Sequence, residues 1–460
     1  MHYCTLRPCR PVDATPARAP TGAGIMATMS FDQRTEAEGL ISFVDDSPSP
    51  FHACATAAAM LDEAGFTELA ERDPWPAGPG RWFTVRGGTL VAWSTENADG
   101  PDTPFRVVGA HTDSPNLRVR PQPDVAAHGW DQLAVEVYGG PLLNSWLDRD
   151  LGLSGRVAVR GRDGVESRLF AAHEPLLRVP QLAIHFDRSA NDALTLNPQT
   201  HLQPVWGYGG DAPTFRDWLA REVEADADDV LGWDVMTHDL TPSTILGVDG
   251  SMIAAPRLDN LGTTYAGTRA LVDAVDRDGP DRPLVQVLVL FDHEEIGSMT
   301  DRGGFSSLLP TVLERITRTL GGDRDDYQRA LASSVVASGD MAHAVHPNYA
   351  DRHEPNHQVR LNGGPVLKVN VKGRYASDAV STGWFALACE QAGVPMQVFS
   401  ARGDMPCGST IGPMTAAQLG VSTVDFGAPM LSMHSARELM GSADPAMYAA
   451  ALAAFLSPEL

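Results

Sequence analysis

Two adjacent glutamates, Glu294 and Glu295, follow closely on the apolar run Val285-Gln-Val-Leu-Val-Leu-Phe291. Neighbouring carboxylates repel each other unless positive charge lies beside them. At the carboxyl end of a buried strand, where α/β sheets bind ligands, a metal cation meets that need. One glutamate can then ligate the cation while the other takes a proton from an attacking water. A lone Glu-Glu pair is more often a solvated surface, so the weight falls on what accompanies it. Four further segments put acidic or histidine side chains at strand ends or in adjoining loops: His111-Thr-Asp113, Asp259-Asn260, Asp340-Met-Ala-His343 and His434-Ser-Ala-Arg-Glu438. Each alone reads as a turn or a satisfied core group, but five at the same kind of position can converge on one edge of a parallel sheet. Two His, two Asp and one Glu form a mixed N/O set for two divalent metals about 3.5 Å apart, bridged by one carboxylate. One Glu is left as the base. Asp113, two residues after His111, is spaced to hold that imidazole by its other nitrogen.

The elements that must position these groups follow from the hydrophobic pattern. Apolar residues at helical spacing over 36–64 predict a helix pair broken at Ser47-Pro48-Ser49-Pro50. Alternation over 82–94 around Gly87-Gly88 predicts a hairpin, and 105–110 a buried strand ending at His111. Between residues 118 and 246 short alternating runs (133–138, 155–160, 167–171, 182–186) are punctuated by Gly, Pro and Asp, with a helical interruption at 213–223. From 256 onward an α/β texture resumes: helices over 261–275 and 305–320, strands at 285–291, 334–338, 366–371, 396–400 and 421–425, and a last helix from Pro445. The expected architecture is therefore an α/β domain over 31–117 and 247–460, its mixed central sheet flanked by helices, interrupted by a β-rich domain at 118–246.

Composition narrows the function. A formal net charge of −23 argues against nucleic acid and anionic membrane surfaces as partners. No apolar stretch approaches the length of a membrane span. Five scattered cysteines (Cys4, Cys9, Cys54, Cys389, Cys407) suit a reducing, cytoplasmic setting and offer no CxxC zinc site. Residues 1–30 lack both hydrophobic period and signal-peptide h-region, and are expected to be disordered or an over-extended start, with Met26 or Met29 as initiator. There is no G-x-S-x-G elbow around Ser409, no Walker A loop and no dinucleotide fingerprint.

The segments GAHTDSPNLRVRP, APRLDNLG, FDHEEIGS, SGDMAHAVHPNY, GPVLKVNVKGRYASD, DMPCGSTIGP and MHSARELM resemble those of the aspartyl aminopeptidase family of metallopeptidases, in the same order. The resemblance runs from about residue 32 to the C-terminus. It implies that His111 and Asp340 each ligate one metal, that Glu295 and His434 hold the other metal, and that Asp259 bridges both. Glu294 would be the general base and Asp113 the orienter of His111. Lys368 and Tyr375 match substrate-contacting positions, His343 lies near the same site, and His185 matches a histidine that reaches a neighbouring subunit's active site. It also implies a cis peptide at Asp259-Asn260, and dimers, formed through the β-rich domain, that build a tetrahedral dodecamer. His293 departs from the pattern, standing where other members often carry Asn.

The expected activity is thus a dinuclear, metal-dependent aminopeptidase acting on peptides with an acidic first residue, Asp or Glu, with Lys368 reading the side chain. Zinc is the expected metal, with cobalt or manganese accepted by the same donors. Two alternatives stand beside it: a related dinuclear aminopeptidase of neutral specificity, and a non-catalytic assembly protein of the same fold.

Overall fold

The computed structural model describes residues 31–277 and 279–459; the expectation for residues 1–30 lies outside them. A nine-stranded mixed sheet forms the centre, in the spatial order Thr67–Glu68, Arg81–Arg86, Thr89–Ser94, Val285–Phe291, Phe105–His111, Val335–Gly339, Ser422–Gly427, Val366–Val369 and Gln397–Ser400. The four strands from Val285–Phe291 to Ser422–Gly427 run parallel to one another. Their neighbours on either side, Thr89–Ser94 and Val366–Val369, run antiparallel to them. Both faces are covered, which is why the Val285–Phe291 strand is apolar at nearly every position. Leu288 and Leu290 pack into one core, and Val287, Val289 and Phe291 into the other. Helices Leu258–Asp276 and Asp444–Leu456 cover the first face; Leu308–Thr319 and Arg324–Ala332 cover the second. The Asp444–Leu456 helix is buried all round, as its run of Ala, Met, Leu and Phe requires.

The helix pair forms as Gln33–Asp45 and Pro50–Glu63. The Ser49 hydroxyl accepts the His52 amide, and Pro50 occupies the first turn. The β-rich stretch folds into a separate six-stranded antiparallel sheet spanning Asn116 to Asp239, with its own apolar core around Leu117, Val135, Leu153 and Trp218. A third, five-stranded sheet joins Thr244–Leu246, Met252–Ala255, Glu438–Gly441, Pro429–Leu431 and Ala342–His343.

Two departures from the pattern reading are instructive. The run 182–186 is not a strand but part of a turn-rich loop, because no neighbouring strand among the described residues pairs with it. It leaves Leu182, Ile184 and Phe186 exposed at 61%, 45% and 83%. Helices Arg324–Ala332, Ala379–Ala392 and Ile411–Leu419 were not legible. The last two are rich in Ala and Gly and show little of the one-sided patterning that marks a surface helix.

Candidate metal centre

The four parallel strands deliver their carboxyl ends to one edge, and the chemistry-bearing side chains gather there. His111 is the last residue of its strand, Asp340 follows Val335–Gly339, and Glu294 and Glu295 lie three and four residues past Phe291 in a short 3-10 turn. Asp259 sits in the first turn of the Leu258–Asp276 helix, where the backbone departs from helical angles and the Asp259-Asn260 peptide is cis. His434 comes from the loop between Pro429–Leu431 and Glu438–Gly441. Left-handed backbone at Arg257 (φ 55°), His293 (φ 65°) and His434 (φ 68°) aims these segments. Such angles are uncommon for non-glycine residues.

Two clusters of ligand atoms result, His111 with Asp259 and Asp340, and Asp259 with Glu295 and His434. His111 Nε2 lies 3.4 Å from Asp259 Oδ1 and 3.5 Å from Asp340 Oδ1. His434 Nε2 lies 3.3 Å from Asp259 Oδ2 and 3.5 Å from Glu295 Oε1. Asp259 thus gives one oxygen to each cluster. Both rings have their second nitrogen engaged: His111 Nδ1 is 3.0 Å from the Asp113 carbonyl and His434 Nδ1 is 2.9 Å from that of Gly140. Donation from Nδ1 leaves each Nε2 lone pair facing the carboxylates, as a metal-binding imidazole needs.

The donor set fits cations. Asp259 Oδ1 and Glu295 Oε1 are buried with no hydrogen-bond partner, a costly arrangement for oxygens unless positive charge completes it. Burial, with Asp259 next in weight, holds the Glu295 carboxyl well above the usual carboxylate range. Burial pushes Glu294 up to about 8. His434 moves up to about 10: burial opposes its charge, but Asp259 and Glu295 outweigh it. Cations in place of protons would neutralise the same carboxylates.

Several groups hold this arrangement in register. Asp113 differs from expectation in detail. Its backbone carbonyl makes the short contact to His111, and its carboxylate stands 3.5 Å from the ring. That carboxylate accepts the amides of Glu294 (3.0 Å) and Glu295 (3.1 Å) and the Tyr138 hydroxyl (2.7 Å), so it fixes both glutamates as well as the ring. Glu438 is a clamp that sequence reading left without a role. It is 2% exposed and accepts the Asp259 amide at 3.0 Å and the His434 amide at 2.7 Å, tying the shared carboxylate to the second histidine. Asp425, fully buried, accepts from Ser338 Oγ (2.8 Å), Thr410 Oγ1 (2.5 Å) and the Ala376 amide (2.6 Å), gathering three wall segments. For Asp425 the only sequence signal is a charged residue inside an otherwise apolar stretch.

A crevice of 260 Å³ opens over the clusters, lined by Glu294, His343, Lys368, Tyr375, Phe399 and Ser409 among others. Lys368 is buried and pairs with Asp340 at 3.2 Å. His343 and Tyr375 both pack against Phe399. Among the residues expected at the site, His185 is the exception: it lies in the exposed 182–186 loop and does not line the crevice of its own chain.

Histidines and carboxylates at the carboxyl edge of a parallel sheet, with a spare glutamate beside them, define a metal-dependent hydrolase of α/β fold. The model of the family "Aminopeptidase I zinc metalloprotease (M18)" matches residues 43–456. The "Probable M18 family aminopeptidase 2" of Mycobacterium tuberculosis (strain H37Rv) is 55% identical over 428 residues, covering 92% of this chain and 98% of that protein. The fold is also similar to that in the cryo-EM structure of the Ape4 and Nbr1 complex (TM-score 0.89, 36% identity, 92% of this chain and 86% of that one). The structure of the S. cerevisiae mApe1 dodecamer is similar as well (TM-score 0.79, 28% identity, 91% and 95%). The chain belongs to the M18 family of zinc metalloproteases and is an aminopeptidase.

Proposed function

We propose that this enzyme is a dinuclear aminopeptidase that releases an acidic first residue, Asp or Glu, from peptides. The observation that carries the dinuclear reading is the sharing of Asp259, one oxygen to each cluster at 3.3–3.4 Å from a histidine nitrogen. His111 and Asp340 would hold one ion, Glu295 and His434 the other, and Asp259 both. Zinc fits the family, and cobalt or manganese suits the same N/O donors. Two cations, when bound, polarise the scissile carbonyl and acidify an attacking water.

The chain's own residues do the rest. Glu294, in the crevice wall beside the clusters, takes the water's proton and passes it to the leaving amine. Asp113 fixes the amides of both glutamates and so sets where Glu294 can reach. Lys368 and Tyr375 meet the acidic side chain of the first residue, and His343 completes that wall. A cation in the pocket is what an acidic substrate needs in a protein of net charge −23. One observation favours neutral specificity instead: Lys368 already faces Asp340, which spends part of its charge. Metal analysis and an aminoacyl substrate panel on one purified sample decide. Two ions per chain and preference for Asp- and Glu-substrates are expected; equal rates on Ala- and Asp-substrates overturn the acidic reading.

We infer further that the β-rich domain is a dimerisation module in a cytoplasmic homo-oligomer, with dimers building a tetrahedral dodecamer. The exposed Leu182, Ile184 and Phe186 support a covered face there, and a dodecamer is described for the mApe1 relative. His185 of the partner subunit would then donate a hydrogen bond to the developing oxyanion. Mixing Glu294→Gln with His185→Ala protein after reversible dissociation tests this. Random pairing gives mixed dimers one intact site each, restoring about a quarter of wild-type activity. No recovery in demonstrated mixed dimers excludes action in trans.

A further inference from the structure

Lysine occurs only twice among the chain's 35 Lys and Arg residues, as Lys368 and Lys372. Lys368 is buried against Asp340, whereas Lys372 is exposed. A second cavity, of 440 Å³, opens beside the crevice, lined by Lys372, Arg374 and Arg402, with polar groups from Asn370, Ser377 and Ser400. The two cavities share wall segments. Lys368 lines the crevice and Val369 the basic cavity; Tyr375 and Arg374 divide the same way, as do Gly408 and Cys407. Tyr375 is the partition. Its ring lies 5.5 Å from Lys368 Nζ.

The charge in this cavity is uncommitted. Arg402 is held by Asp404 at 2.7 Å and by the Asp351 carbonyl. Among the described residues, neither the Lys372 ammonium nor the Arg374 guanidinium has a carboxylate within 4 Å, and no Asp or Glu lines the cavity. In a protein of net charge −23, whose overall field repels anions, a carboxylate-free hollow with two unpaired cations is a local exception. The guanidinium fork suits a carboxylate bidentately, and the ammonium adds a point charge. The volume is that of a small-ligand pocket, so a side chain with part of its backbone can enter.

We propose that this basic cavity is a second carboxylate site, which takes a further acidic side chain of a peptide whose first residue sits at Lys368. The proposal rests on the substrate reading given above for the crevice. It makes the enzyme a reader of two acidic positions, one on each side of Tyr375. Lys368 sets the first position; Lys372 and Arg374 set the second.

The test uses the metal-loaded, assembled enzyme and amidated tetrapeptides: Asp-Ala-Ala-Ala, and versions carrying one Glu at the second, third or fourth position. At least one diacidic peptide should show a KM about tenfold lower than the monoacidic one, the scale of a charge-assisted contact. That KM ratio should collapse toward one in the Lys372→Gln/Arg374→Gln variant, where neither change removes a partner from another side chain. A second readout needs no turnover. Acetylation of Lys372, followed by mass spectrometry in the Glu294→Gln protein, should be blocked by the favoured diacidic peptide and not by the monoacidic one. Equal KM values in wild type, or a ratio that survives the double variant, overturn the proposal. So does protection by inorganic phosphate without any KM difference, which would mark a site for free anions. Failure of the crevice reading is separable. If the panel shows a neutral first-residue preference, Lys372 protection by Ala-first peptides carrying the same Glu still decides the second site.

Discussion

Two clusters of histidines lie within this molecule, and their electrostatics run in opposite directions. At the crevice, carboxylates raise both rings above the usual histidine range against the pull of burial: Asp113, Asp259 and Asp340 act on His111, and Asp259 and Glu295 on His434. Behind it, where the Pro50–Glu63 helix meets the six-stranded sheet, His52, His173 and His238 meet one another and Arg257. There His238 Nδ1 is 3.1 Å from Ser154 Oγ, His52 Nδ1 is 2.7 Å from Ser49 Oγ, and the rings of His173 and His238 stand 5.4 Å apart. Burial, then His173 and Arg257, lowers His52 to about 4; burial, then Arg257, holds His238 well below the usual value. One cluster is built to concentrate charge and the other to exclude it. Residue type is the same in both; carboxylates overcome burial in one, while in the other burial acts together with neighbouring positive charge.

The sharpest way to break the crevice half of that comparison is Glu294→Gln. The substitution keeps shape and removes the base, so activity should fall by about 10²–10⁴-fold. Metal content should not change, because Glu294 belongs to neither ligand cluster. A variant retaining more than about a tenth of the wild-type rate shows that the proton is handled elsewhere. Asp259→Asn follows. One carboxylate serves both clusters, so both ions should be lost together on mild dialysis, read as metal per chain. Loss of one ion with the other retained means that the carboxylate is not shared.

The two clusters were unequally legible. The segments that carry the crevice clusters stood out in advance, because strand ends and a helix start with acidic or histidine residues are legible, and the family resemblance named the ligands among them. What those residues lean on was hidden. Glu438 clamps Asp259 and His434 across 179 and 4 residues, and Asp113 caps the Glu294 and Glu295 amides across 181 and 182. Tertiary packing is what brings the distant ones together. The histidine seam was invisible for the same reason, since His52 precedes the inserted sheet while His173 and His238 lie on two of its strands. The 182–186 run misled in the opposite sense: its alternation matched a strand, but among the described residues no strand pairs with it.

The seam yields the smallest expected effect, and its sign follows from the lowered pKa values. An unfolded histidine takes up a proton as pH falls through about 6.5, while folded His52 resists until about 4. Between those values the unfolded chain binds more protons, so the stability contribution is complete above pH 6.5 and shrinks as pH falls toward 4. Each such histidine adds a slope of up to about 1.4 kcal/mol per pH unit in that window. Arg257 sharpens the effect, because protonation would set new positive charge beside it; Asp45, Asp239 and Glu438 already offset the Arg257 charge. His52→Asn keeps a hydrogen-bonding group toward Ser49 and cannot titrate. Measured by denaturant unfolding at pH 7.5, 6.5 and 5.5, wild type should lose more stability over the lower interval than the variant does. The upper interval should separate the two much less. Equal losses in wild type and variant across both intervals would mean that His52 titrates alike in the folded and the unfolded chain, and that the seam does not exclude its charge.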